Sequence, residues 1–289
     1  MKFRDYHFAH FKPKLVNDLI RVGNKEKDGG YVISKRQVEK TKVLIGLGVN
    51  YDWSFEEEFK ALNNSVNIYC YDFSVGKSVY LKSIISSIIN VVSPSSYTKE
   101  IFNKRSPVSV FTKPVFNIKT YFNFKSFFKA ERGNFFFQKG ISDFSGGVFI
   151  TVPEMFNNVK SFKDLPENSV YLKMDIEESE YDVLEDILEQ SSKINGLSIE
   201  FHNIKHLWND FNLLAEKLKK DFEIIHVHGN NCCGYIHGTE IPNLIEVSYM
   251  KRSLLTDDEL NGLNQRKYPL EKLDSPNLPN IPDLTLSFK

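Results

Sequence analysis

A chain of 289 residues and 33.5 kDa, 41% hydrophobic and 26% charged, holds enough material for one large domain or two small ones, which excludes a disulfide-stapled miniprotein and wholesale disorder. Its 37 basic and 37 acidic residues cancel, removing the broad attraction that non-specific binding to nucleic acid or anionic lipid needs. The longest strongly apolar run, Ile84 to Val92, is broken by two serines and an asparagine and falls far short of the roughly 20 residues a bilayer requires, so no membrane span is expected. Met1 to Lys14 lacks the apolar stretch of a signal peptide, and the expected location is cytoplasmic. Cys70, Cys232 and Cys233 form no two-pair metal spacing and are expected as reduced thiols.

Residues 1–40 are expected as an N-terminal extension packed on the main domain, 41–289. Short apolar runs then alternate with amphipathic stretches, the pattern of parallel strands joined by crossover helices. Val43–Val49 predicts a first strand, and Ser54–Leu62 a helix with Phe55, Phe59 and Leu62 on one face. Val66–Tyr71 predicts the second strand, closed by Asp72. The segment from about 74 to 130 is irregular, carries SPSS at Ser93 to Ser96 and many aromatics, and is expected as a helical insertion or lid. Asn134–Ile141 predicts the third strand and Ser169–Ile176 the fourth. A helix over Glu178–Glu189 follows, with Tyr181, Leu184 and Leu188 at helical spacing, then a fifth strand over Gly196–Phe201. A helix from about His206 to Lys220 precedes two last strands, Phe222–His228 and Leu244–Tyr249, joined only by a loop and therefore expected to pair antiparallel. Four prolines in Tyr268–Lys289 predict an extended tail laid onto the domain. The expected fold is α/β: a Rossmann-like, doubly wound, seven-stranded, mostly parallel sheet with an antiparallel C-terminal hairpin and a helical insertion.

Gly46-Leu47-Gly48-Val49-Asn50 follows an apolar strand and precedes a helix, which in a doubly wound sheet is where ligands bind. Glycine there admits close backbone approach. Asp72 ends the next strand, where a carboxylate accepts ribose hydroxyls, so the pair points to a nucleoside cofactor. A dinucleotide fingerprint needs glycine where Tyr51 stands. The phenol disfavours NAD and favours S-adenosylmethionine, which has no diphosphate.

The order VLIGLGVN, IYCYDFS, FFFQKGISDFSGG, SVYLKMDIEESEYDVL and GLSIEFHNI, closed by a hairpin, resembles a class I S-adenosylmethionine-dependent methyltransferase. More narrowly, KMDIEESEYDVL resembles the K-x-D-x-E-G-x-E-x-x-x-L segment of the FkbM-type enzymes, with Glu178 in place of the usual glycine. Asp28-Gly29-Gly30-Tyr31 and His226-Val227-His228-Gly229-Asn230-Asn231 also look like segments of that type, and the resemblance runs from about Gly23 to Tyr249. It implies that Gly46, Gly48 and Asn50 line the methionine portion of the cofactor, that Asp72 holds the ribose, and that Ser142 and Asp143 sit by the adenine.

Methyl transfer is an in-line displacement, so the protein must supply alignment and a deprotonated acceptor. Asp175 and Glu177, Glu200 and His202, and His226 and His228 each stand two apart at strand ends, which puts each pair on one face. Two arrangements are expected from this edge: His202 or His228 as base with Asp175 near the sulfonium, or a Mg²⁺ or Mn²⁺ ion held by Asp175, Glu200 and His202. Asn230 and Asn231 are expected to bond a substrate rich in hydroxyls, Asp28 to Tyr31 to close over the same edge, and Lys99, Lys104 and Arg105 to meet a phosphate. The resemblance implies O-methylation of a sugar hydroxyl, in a nucleotide-sugar or glycan of bacterial capsule or surface biosynthesis. The alternatives are an NAD(P)-dependent oxidoreductase on a nucleotide-sugar and a non-catalytic nucleoside-binding module.

Overall fold

The computed structural model describes residues 8–26, 28–92 and 108–288. After a 3₁₀ turn over Ala9–Phe11, the described residues form an antiparallel hairpin, β1 (Leu19–Gly23) and β2 (Gly30–Ser34), followed by helix α1 (Lys35–Lys40). The reading of residues 1–40 as an extension contained no strands. Each strand is only five residues long, and the hairpin is held by packing against the helix that follows β3 and against the last strand of the main sheet. Ser34 and Gln37 close a capping box at the start of α1.

Strand β3 (Val43–Leu47) is buried throughout and leads into α2 (Ser54–Leu62), which turns Phe55 and Phe59 to the core. β4 (Asn67–Tyr71) is followed by two long helices, α3 (Lys77–Val92) and α4 (Val108–Phe127), which pack on each other and form the expected helical insertion. SPSS and the trio Lys99, Lys104 and Arg105 lie outside the described residues.

The third strand is shorter than Asn134–Ile141. β5 (Asn134–Phe137) pairs with β4 and stops, while β6 (Gly140–Ile141) turns away to pair with β7 (Phe149–Ile150) in a separate two-stranded sheet. A tight turn in which the Lys139 amide donates to the Phe137 carbonyl at 2.8 Å makes the break. α5 (Val152–Asn157), β8 (Val170–Met174), α6 (Glu180–Leu188), β9 (Ile194–Phe201), α7 (Trp208–Leu218), β10 (Phe222–Gly229), β11 (Ile245–Lys251) and α8 (Asp257–Asn261) complete the order. On α6 the buried face is Val183, Leu184 and Ile187, with Tyr181 and Leu188 at its margin.

The main sheet runs β10-β11-β9-β8-β3-β4-β5, with β11 antiparallel to both neighbours and every other pair parallel. The doubly wound, seven-stranded, mostly parallel sheet with an antiparallel terminal hairpin is therefore as expected. β11 also reaches past β10 to pair with β9, so the hairpin is woven into the sheet. One apolar core fills the face under α5, α6 and α7; a second, rich in aromatic rings, includes Trp53, Phe55, Phe59, Phe124 and Tyr171. The chain leaves β3 toward β4 and β5, then returns on the other side of β3 as β8. The carboxyl ends of β3 and β8 are thus the point where strand order reverses and a crevice opens.

Among the described residues, the tail beyond Tyr268 contains no helix or ladder, but it is not simply extended: Tyr268 and Leu286 form an antiparallel bridge, so the segment between them doubles back.

Candidate active site at the strand reversal

Gly48 leaves β3 with φ +74°, and a Cβ on it would stand 1.6 Å from the Asp175 carbonyl oxygen, so no side chain fits. Asn50 follows with φ +48°. Asp72 holds this loop: its Oδ2 accepts from the Val49 and Asn50 amides at 3.0 and 2.7 Å, and its Oδ1 from the Ser74 amide and hydroxyl at 2.7 and 2.6 Å. Lys173, buried in β8, ties the loop from the other side by donating to the Gly48 carbonyl at 2.5 Å. Burial alone would lower the Lys173 pKa, but Asp175, Glu56 and Glu200 raise it.

A cavity of about 300 Å³ lies over this loop, lined by Gly48, Asn50, Asp72, Phe73, Phe149 and Asp175 among others. Three of the expected cofactor residues, Gly48, Asn50 and Asp72, are on its wall. Gly46 is behind it: its missing Cβ leaves room for the buried Glu56, whose Oε1 would lie 2.5 Å from a methyl there. Ser142 and Asp143 do not line the cavity; they pair with each other at 3.1 Å just beyond β6, and Gly140 and Ile141 form the wall instead. The premature end of the third strand explains this, since it turns Ile141 inward and carries Ser142 past the rim. The sequence reading did not single out Phe73 and Phe149, whose rings lie 5.3 Å apart. The available signal was the position of Phe73 directly after the acid that ends β4.

Asp175 belongs both to this wall and to an acid-imidazole edge. The chain leaves β8 through Glu177 and Glu178, both left-handed with φ +55° and +79°. His202, just past the end of β9, has Nδ1 3.0 Å from Oε1 of the fully buried Glu180, while its Nε2 is 3.7 Å from Asp175 Oδ1 and 3.6 Å from Glu177 Oε2. Burial would depress the His202 pKa, but the bond to Glu180 and the charges of Glu180, Asp175 and Glu177 raise it. Glu200, 3% exposed, accepts from Asn230 Nδ2 at 2.8 Å. Burial, then the neighbouring Asp175 and Glu246, push its pKa well up. Asp175, Glu200 and His202 each present a ligand atom within 4.8 Å of the other two, and Asp28, Glu200 and Glu246 form a second such group.

His228 stands apart from Asp175 in its bonding. Its Nδ1 lies 3.2 Å from Glu246 and its Nε2 3.0 Å from Asp283 in the tail, so neither nitrogen offers a free lone pair to an acceptor. The expectation of His228 as base is corrected on that ground: it is a buried link between two carboxylates. His226 is likewise bound, to Asp274 at 3.1 Å. Asn231 spends its amide on the tail, donating to the Leu278 and Ile281 carbonyls and accepting from the Leu278 amide. Asn230 orients Glu200. Asn277, from the tail, donates to Glu246 at 2.6 Å and to Asp28 at 3.0 Å. Cys70 is buried, and the exposed Cys232 and Cys233 have their sulfurs 2.9 Å apart without a disulfide.

No helix among the described residues is long and apolar enough to cross a membrane. No family model matches the sequence, and no curated protein matches it. Solved structures overlap it loosely. The fibrillarin/Nop5p complex is 9% identical, with TM-score 0.31 over 73% of each chain. The Methanococcus jannaschii fibrillarin pre-rRNA processing protein is 8% identical, with TM-score 0.32 over 74% of this chain and 68% of that one. An rRNA methylase from Streptococcus thermophilus is 8% identical, with TM-score 0.32 over 74% and 91%. Overlaps this loose carry no argument about activity; it is the strand order of the sheet that describes a Rossmann-like fold.

Proposed function

We propose that this protein transfers a methyl group from S-adenosylmethionine to an oxygen acceptor. The observation that carries the reading is the cavity at the strand reversal, whose wall joins the Gly48–Asn50 loop, Asp72 and Asp175, and which shares Asp175 with the acid-imidazole edge. The donor set suits the cofactor: Asp175, whose Oδ2 lies 3.5 Å from the Lys173 ammonium, adds a carboxylate to the wall for a sulfonium charge, and Phe73, Ile141 and Phe149 offer an apolar wall for a purine. When bound, the cofactor supplies a methyl carbon on a good leaving group. Asp72 and Lys173 hold the loop in shape, and Asp175 balances the positive charge. An acceptor hydroxyl held at this edge would take that methyl group and give up its proton to the edge that His202 faces. His228 is a positioning residue.

For the acceptor we propose a sugar hydroxyl in a nucleotide-sugar or surface glycan, a reading that rests on the FkbM resemblance and on a polar acceptor edge. That edge is acidic, with Asp28, Glu177, Glu200 and Glu246, which disfavours a polynucleotide backbone. The free thiols support a cytoplasmic setting. Calorimetry with S-adenosylmethionine and with NAD(P) tests the cofactor. Heat from the sulfonium compound, and a one-methyl mass gain on sugar nucleotides that Asp175→Ala and His202→Ala abolish without unfolding, is the expected result. Heat from the nicotinamide alone would establish the oxidoreductase, and nucleoside binding without turnover on any acceptor the binding module.

A further inference from the structure

Asp175, Glu200 and His202 come from the ends of β8 and β9, and two of the three are oriented by a buried partner that does not itself join the group. Glu180, with no exposed side-chain surface, has His202 as its ion-pair partner and sits 3.0 Å from Nδ1. A carboxylate there anchors Nδ1 and turns Nε2 outward. Nε2 faces Asp175 Oδ1 at 3.7 Å and Glu177 Oε2 at 3.6 Å, both too long for hydrogen bonds. Metal-binding histidines carry this same carboxylate on their outer nitrogen. Glu200 is turned by Asn230, which is itself fixed by the Cys232 amide at 3.0 Å.

We infer that Asp175, Glu200 and His202 bind one divalent cation, Mn²⁺ or Mg²⁺, at the acceptor side of the cavity. Two carboxylates and one imidazole suit these ions, and the imidazole tilts the preference to Mn²⁺. The inference deepens the methyl-transfer reading, on which its catalytic meaning rests, but ion binding itself does not depend on that reading. An ion here lowers the pKa of an acceptor hydroxyl. His202 then serves as ligand instead of base, and the hydroxyl proton leaves by way of Glu177, whose side chain is 86% exposed.

The test is titration of the full chain with Mn²⁺, followed by electron paramagnetic resonance and calorimetry. One ion per chain is expected, with echo-modulation from a directly bound nitrogen, a signature that needs no variant. His202→Ala and Glu200→Gln should weaken binding at least tenfold, and Glu180→Gln, which touches no ion, by about 10- to 100-fold. The absence of nitrogen coupling, or no saturable binding up to about 1 mM, the weak end for carboxylate sites, overturns the inference. So does loss of binding in Glu246→Gln with none in His202→Ala, which would move the ion to Asp28, Glu200 and Glu246. Heat from S-adenosylmethionine without Mn²⁺ binding removes the ion alone; Mn²⁺ binding without that heat removes the methyl-transfer reading alone.

Discussion

Glu178 occupies the position where the resembled segment has glycine, and the backbone explains what glycine does there: the residue takes φ +79° directly after Glu177 at +55°. The substitution leaves the turn in place and strains it instead. An L-residue in the left-handed region costs about 1–2 kcal/mol, partly offset because glycine is more flexible when unfolded. Glu178 recovers some of this by accepting from Asn203 Nδ2 at 3.1 Å. Glu178→Gly should therefore raise stability by about 1 kcal/mol and the thermal midpoint by about 2 °C; a lower midpoint would mean that the bond to Asn203 outweighs the strain. Sequence reading exposed the departure from the pattern but not the dihedral, because nothing in a glutamate's identity announces a positive φ. The same limit separates Asp72 from Ser142 and Asp143. An acid at a strand end is legible from the strand, whereas the position of Ser142 depended on a turn at Lys139 that ends β5 four residues early.

The strands and helices around the site were legible because period-2 and period-3.6 patterns report burial on a sheet or helix face, and the two-residue spacing of Asp175 and Glu177 and of Glu200 and His202 follows from the first. The partners of β10 were not legible. His226 and His228 look like free imidazoles at a strand end until the tail folds over them, bringing Asp274 and Asp283 from 48 and 55 residues away. Proline spacing marks such a tail as non-helical but carries no register. Burial alone would depress the His228 pKa, but Asp283 and Glu246 carry it well above the ordinary 6.5. A raised folded value adds stability that is complete below pH 6.5 and fades as pH climbs through that value. Amide exchange across residues 268–288, corrected for intrinsic rates, should thus lose protection in the alkaline range. His228→Gln should remove that pH dependence and cost about 3–5 kcal/mol, since it leaves two carboxylates without their cation. A variant as stable as the parent, or a parent tail that tightens with rising pH, would dismiss the link.

Across the whole molecule, residues 13–36 are clamped by residues 259–266. Lys14 donates to the Leu260 carbonyl and Asn264 to that of Pro13, and Arg266 reaches Val16 and Asn17. At the centre Arg36, on α1, bridges Asp18 at 3.0 Å and Glu259, on α8, at 2.5 Å. No periodicity within either segment could show this, because the contact joins positions more than 200 residues apart and each side chain alone reads as an ordinary surface charge. Burial would raise the Asp18 pKa, but hydrogen bonds from Arg36 and Ser34 overcome it and hold the carboxyl down to about 2, against an ordinary 3.8. A depressed folded value adds stability that is present above pH 3.8 and lost as pH falls toward 2. Because Asp18 is partly exposed, solvent screening reduces that contribution to about 1 kcal/mol. Denaturant unfolding of Asp18→Asn should therefore show a deficit of this size against the parent at pH 7 that closes as both are taken down to pH 2. A deficit that persists undiminished at pH 2 would assign the effect to packing, and would mean that charge does not join the two ends of the chain.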